Sequence, residues 1–244
     1  MIRLDAATVL LQWATGGLAF LWVTSRRREV GIGYGWLLRG VYGVMALGAL
    51  AAGLGVGDPV PVREAASALS ALATFAALAV SVVRRRAGVA GERAREQHRT
   101  ARVAAMTGIE RAPSEQDAGA VEFPPALDAI APVVGAIGLV AAGIAAGGPD
   151  VLAVVRTLVG AAFLGSLSDA MLLGHWYLVQ PGLTREPLNE LVGWTMWIWP
   201  FEVAAMLWPT GMLSVVSGSV DDGWNGTLGW MWLACAVTTI VLCV

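Results

Sequence analysis

The chain has 244 residues, 57% hydrophobic and 14% charged, with a mean hydropathy of +0.66 and a formal net charge of −2. A soluble domain carries about 25% charged residues, so these figures exclude an ordinary water-soluble fold, and nothing in the charge balance points to nucleic acid. All 16 basic residues are arginine; without lysine there is no amine for a retinal Schiff base, and the wealth of Ala, Gly and Val points to a high-GC bacterial genome.

The apolar residues fall in blocks of about 20, enough to cross a hydrocarbon core of about 30 Å at about 1.5 Å per residue. They do not alternate as barrel strands do. The expected fold is all-α, a polytopic transmembrane helical bundle of about seven spans. Residues 1–83 hold the first three, at about 6–24, 34–56 and 65–83. Residues 84–125 form one long basic loop. Its first part, RRRAGVAGERAREQHRTARVAAM, is expected to be helical with Arg95, Arg99 and Arg102 along one side. It reads either as a solvated helix or as a dock for anionic lipid or a partner. APSEQDAGAVEFPP then reads as a flexible return. Residues 126–244 hold four more spans, at about 127–147, 151–178, 188–212 and 227–244. The start is not read as a cleavable leader, because no clear small-residue cleavage site follows the first apolar run. The chain stops within an apolar run and is expected to continue, into an eighth span.

The arginines orient the spans. Twelve of them lie in alternate loops: Arg26, Arg27, Arg28, Arg84, Arg85, Arg86, Arg93, Arg95, Arg99, Arg102, Arg111 and Arg185. Only Arg3 and Arg63 lie in the opposite loops, which puts the N-terminus outside and the C-terminus inside. Arg39 and Arg156, within spans, are expected to snorkel to the nearer interface. Small residues mark the packing faces. Gly143 and Gly147 in span 4, with Gly160, Ala161, Ala162, Gly165 and Ser166 in span 5, suggest that these two spans pair tightly. Cys235 and Cys243 are too far apart on one helix to form a disulfide.

Candidate functional residues gather in spans 5 and 6. A charge within a span costs about 2.5–3.5 kcal/mol on insertion scales, so Asp169 and Glu202 need a partner or a task. With the spans joined as a hairpin, the two acids differ in height by only about a turn, and a shared polar pocket is expected. His175, the one histidine in a span, is expected to flank it. A lone histidine cannot supply bis-His haem ligation, but His-Met or single-His haem stays open, with Met171 or Met196 as the second ligand. Gln180-Pro181-Gly182 ends span 5. Thr184 is expected to cap span 6, with Pro187 in its first turn. His175, Trp176 and Tyr177 then sit where a ligand at headgroup level would enter. Trp194, Trp197 and Trp199, beside Pro200 and Phe201, form either an aromatic wall for a quinone, haem edge or lipid, or part of an interfacial belt with a kinked core. Other tryptophans, Trp13, Trp22, Trp36, Trp176, Trp208 and Trp224, fit interfacial belts.

The stretch GHWYLVQPGLTREPL resembles a segment of uncharacterised polytopic integral membrane proteins of high-GC bacteria, a resemblance of about fifteen residues that implies no activity. No D-x-x-x-D, H-E-x-x-H or G-x-S-x-G pattern is present. The functional expectation is a multi-pass subunit of a redox or energy-transducing complex in the bacterial inner membrane, not catalytic by itself. It would contact lipid and other membrane subunits and bind a quinone, or a haem, between spans 5 and 6. The alternatives are a small proton-coupled transporter using Glu202 and Asp169, and a structural or assembly protein whose polar residues only pair helices.

Overall fold

The computed structural model describes residues 4–56, 58–108, 120–147, 149–180, 182–207, 211–219, 221 and 223–243. Among these the regular structure is helical: α1 (Ala6–Ser25), α2 (Ile32–Gly55), α3 (Pro61–Val83), α4 (Ala90–Thr107), α5 (Ile130–Ala145), α6 (Asp150–Val179), α7 (Glu186–Leu207), α8 (Gly211–Val216) and α9 (Thr227–Cys243). Single 3-10 turns at Arg85–Ala87 and Pro125–Ala129 lead into α4 and α5.

Five helices are long and apolar enough to cross a membrane: α1, α2, α3, α5 with its preceding turn, and α6. They coincide with the first five expected spans. The expected sixth span is divided. Its main part, α7, has 22 residues, but Glu190, Glu202 and four tryptophan-sized gaps in aliphatic character make it less apolar. Met212 belongs to the separate helix α8, and Trp208 lies outside the described residues. The last apolar helix, α9, has 17 residues.

Helix α1 is the axis of the bundle. Of its most apolar window 67% is buried, against 39–44% for the other four spanning helices. It packs on α2, α5 and α6. The tightest seam is α1 against α6, where a Cβ added to Gly16 would lie 1.8 Å from the Ala161 carbonyl oxygen, and one on Gly165 would lie 2.1 Å from the Gly16 carbonyl carbon. Backbone touches backbone there, the close approach that holds membrane helices without a hydrophobic driving force. The expected pairing of spans 4 and 5 is present as α5 on α6, with Gly143 against the Val154 backbone.

The two ends of the bundle differ. One gathers the α1–α2 turn, α4, the segment before α5, and the α6–α7 hairpin, and it carries nearly all the described arginines. Glu122 is the hub. Its carboxylate meets Arg93 and lies 3.4 Å from Arg28, while its carbonyl accepts from Arg84 at 3.0 Å. The described part of the return segment is therefore clamped rather than flexible, and 109–119 lie outside the described residues. The opposite end holds Arg63, which the sequence placed in a loop. It is buried and bonds Asp5 (2.6 Å), Glu64 (2.6 Å) and Thr8 (3.1 Å).

Both arginines expected to snorkel are instead partnered. Arg39 makes a two-pronged pair with Asp128, Nε to Oδ1 at 2.8 Å and Nη2 to Oδ2 at 2.7 Å. Ser25 donates a third bond to Asp128 at 2.9 Å, and the Phe123 ring lies 4.3 Å from the guanidinium carbon. Arg156 donates to the carbonyls of Ala205 (2.6 Å) and Met206 (3.4 Å), near the end of α7. Those carbonyls have no intrahelical donor, and the helix dipole favours a cation beside them.

Candidate functional site

Asp169 is wholly buried in α6, facing α2. Tyr34 and Tyr42 stand eight residues apart on α2, on the face that meets α6. The Tyr42 hydroxyl donates to Asp169 Oδ1 at 2.5 Å, and the Tyr34 hydroxyl donates to the Asp169 carbonyl at 3.1 Å. Asp169 Oδ2 has no hydrogen-bond partner. The next residue back, Ser168, accepts from the Trp13 indole at 2.7 Å. The result is a small polar knot that ties α1, α2 and α6 together.

Glu202 does not join it. It faces Gly160, where an added Cβ would lie 3.7 Å from a Glu202 carboxylate oxygen. Gly160 precedes Asp169 by nine residues, about 14 Å along the helix. The shared pocket expected for Asp169 and Glu202 is therefore absent. The hairpin argument counted residues from the turn, but the two acids point to different sides of α6.

His175 is exposed, outside both clusters. Its Nδ1 lies 2.8 Å from the Met171 carbonyl. A carbonyl only accepts, so Nδ1 carries the proton and Nε2 is left as the acceptor. Met171 is 57% exposed and Met196 46% exposed, so neither is buried beside His175 as an axial pair would need. Among the described residues no group of three His, Cys, Asp or Glu could hold a metal ion.

Trp176 and Tyr177 brace the hairpin instead of lining an entrance. At about 1.5 Å per residue the 30-residue α6 outruns the hydrocarbon core, so its last turn stands at the interface. There the Trp176 indole donates to Gln180 at 3.0 Å, and the same Gln180 oxygen accepts from the Gly31 amide at 2.9 Å. Trp176 also packs on Tyr34, ring centres 5.9 Å apart. The Tyr177 hydroxyl donates to the Thr184 carbonyl. Thr184 does not cap α7, because its hydroxyl donates to Glu29 at 2.7 Å. Pro181 lies outside the described residues.

The remaining candidates, Trp194 and Trp197, do make a site. They line a groove of about 410 Å³ on the outer face of α7 with Glu190 and Gly193. Trp194 meets Phe20 of α1 edge-on at 6.2 Å, while Trp197 is 74% exposed. At the head of the groove Glu190 binds Arg26 at 2.6 Å and also Arg27. The bond to Glu190 pushes the Arg27 guanidinium above its ordinary pKa. An aromatic wall thus lies directly below a cluster of fixed charges. Phe20, Arg26 and Arg27 were not among the expected site residues. The spacing of Glu190 and Trp194 on α7, four residues and one turn apart, was the available signal.

Comparison of the chain with family models, with curated proteins and with solved structures gives no match.

Proposed function

We propose that this chain is a multi-pass subunit of a redox or energy-transducing assembly in a bacterial inner membrane, with the α7 groove as its seat for a quinone. The observation that carries this reading is the aromatic wall of Trp194 and Trp197 under the Glu190–Arg26–Arg27 cluster. A quinone head is flat, accepts hydrogen bonds through its carbonyls and arrives from the lipid. Tryptophan faces supply stacking, worth about 0.5–1.5 kcal/mol per aromatic pair, and the arginines supply donors at headgroup depth. The seat is thus placed between α1 and α7, in place of the α6–α7 groove.

The same reading takes α7 and α9 as the sixth and seventh spans. The arginine-rich end faces the cytoplasm by the positive-inside rule. The broad exposure of Trp197, Phe201, Trp230 and Met231 offers a surface to lipid or to partner subunits. The chain positions the quinone, and redox centres belong to those partners.

Mild-detergent purification, with mass spectrometry of accompanying chains and quinone extraction, tests this. Retained quinone that falls when Trp194 and Trp197 are both changed to Leu supports it. A chain that holds neither quinone nor redox subunits refutes it. Transport is the second reading, favoured by the unpartnered Oδ2 of Asp169. It requires proton-coupled uptake in vesicles that Asp169→Asn abolishes.

A further inference from the structure

A second cleft lies on the arginine-rich end, apart from the α7 groove. One wall is α4, contributing Arg95, Arg99 and Arg102 with Glu92, Glu96 and His98; the other is the end of α6 and the following turn, Val179 to Leu183. Its volume is about 660 Å³, within the range of small-molecule sites. Arg95, Arg99 and Arg102 follow an i, i+4, i+7 pattern, so all three stand on one face of the helix.

The three arginines are not alike. Arg95 is spent on the fold, donating to the Glu29 carbonyl and lying 3.9 Å from its carboxylate. Arg99 and Arg102 are exposed, and among the described residues neither has a hydrogen bond or ion pair. The acids sit towards the other end of the wall. Burial raises the Glu92 carboxyl above its ordinary value, opposed by Arg95 and reinforced by Glu96. From residue 97 to the end of α4 there is no further acid. The open half of the cleft is therefore cationic, with His98 at its edge.

The facing wall is of opposite character. Val179 is 66% exposed and Leu178 beside it 83% exposed, at the last turn of an apolar spanning helix. A soluble anion would gain nothing from that wall. An anionic phospholipid would use both, its phosphate on Arg99 and Arg102 and its glycerol and upper acyl carbons along Val179.

We infer that the cleft between α4 and the end of α6 is a binding site for an anionic phospholipid, held by Arg99 and Arg102. It fixes the cytoplasmic helix α4 against the membrane surface. A surface arginine contributes about fivefold to the binding of anionic lipid, and the attraction weakens as salt screens it.

The test uses the full chain in a neutral detergent, titrated with phosphatidylglycerol or phosphatidylcholine and read by native mass spectrometry. Phosphatidylglycerol should be retained over phosphatidylcholine, and less so at high salt. Arg99→Gln and Arg102→Gln should each reduce retention about fivefold. The lysine variants Arg99→Lys and Arg102→Lys should keep most of it, with thermal midpoints unchanged throughout. Equal retention of the two lipids, or glutamine variants that bind as the parent does, overturns the proposal. So does displacement of phosphatidylglycerol by an equal concentration of glycerol phosphate, which would assign the cleft to a soluble phosphate ester. Loss of quinone from the α7 groove has no bearing on any of these readouts.

Discussion

Replacing Asp128 by Asn is the sharpest test of how the bundle is held. In the parent, Arg39 and Asp128 have side chains only 3% and 1% exposed. Their two hydrogen bonds are 2.8 and 2.7 Å long. The asparagine keeps the shape but turns an amide nitrogen towards one of the guanidinium donors, and the buried cation loses its counter-charge. Breaking a buried pair from one side costs about 3–5 kcal/mol. For a chain of this size 1 kcal/mol shifts the midpoint by about 2–4 °C, so a fall of about 6–20 °C is expected. Replacing both partners, as Arg39→Met with Asp128→Leu, removes the stranded charge and should recover most of that loss. The assay is thermal unfolding in detergent, followed by near-ultraviolet circular dichroism. Snorkelling would let Arg39 find water without Asp128. An Asp128→Asn midpoint equal to the parent's, or a double variant no better than the single, would therefore refute the pairing argument.

At the α1–α6 seam, Gly16→Ala and Gly165→Ala put a methyl group into backbone atoms that cannot rotate away. Each should cost at least about 1–3 kcal/mol in the same melt, whereas Gly40→Ala, with nothing within 4 Å of the added carbon, should be neutral or slightly stabilising. Equal midpoints for all three would contradict the packing. Tyr42→Phe leaves both carboxylate oxygens of Asp169 unpartnered and should cost about 1–3 kcal/mol, a loss that an unchanged melt would disprove. Asp5 caps α1 through the Thr8 amide at 2.8 Å. Burial raises its carboxyl, but the Thr8 and Arg63 bonds outweigh that and leave its pKa below the ordinary 3.8. The folded state then binds its proton less readily than the unfolded chain. The stabilisation is complete above pH 3.8 and is lost as the pH falls through the lower folded value. Asp5→Asn should remove that acid-side slope from a midpoint-against-pH series, and an unaltered slope would assign it elsewhere.

The first five spans were legible because each is a long apolar block with a charged or Gly/Pro break at its ends, and length alone decides whether such a block crosses a membrane. The identity of α4 followed from its arginine spacing. What composition could not give was pairing. Asp128 sits in PPALDAIAP, a stretch that reads as the entry to a span, and nothing local links it to Arg39, 89 residues away. The same holds for Tyr34 and Tyr42, which look like ordinary aromatic members of α2 until α6 brings Asp169 to them. Asp169 itself was legible as an anomaly, but its proposed companions were not its companions. Residue counting along a hairpin fixes height and says little about which side of each helix a carboxylate faces.

The buried polar residues share one feature that separates them from the α7 groove. Asp169, Arg39, Arg63 and Gln12 each bind across helices, to Tyr42, Asp128, Asp5 and Thr157 respectively. Together they tie α1 to α2, α3 and α6 and join the segment before α5 to α2. These bonds are internal to the first five spans. Helix α7 rests chiefly on α6, and α9 only on α7 and α8. Its polar contacts with the rest, Glu190 to Arg26 and Arg27, lie at the interface, where such pairs contribute about 0–1 kcal/mol. The five-helix core is thus cross-linked by polar bonds that water cannot replace, while the tryptophan-bearing edge is held by contacts that exchange readily. An edge of that kind can open to a ligand or a neighbouring subunit without disturbing the core, which is why the functional proposal rests on α7 rather than on the more conspicuous acid at Asp169.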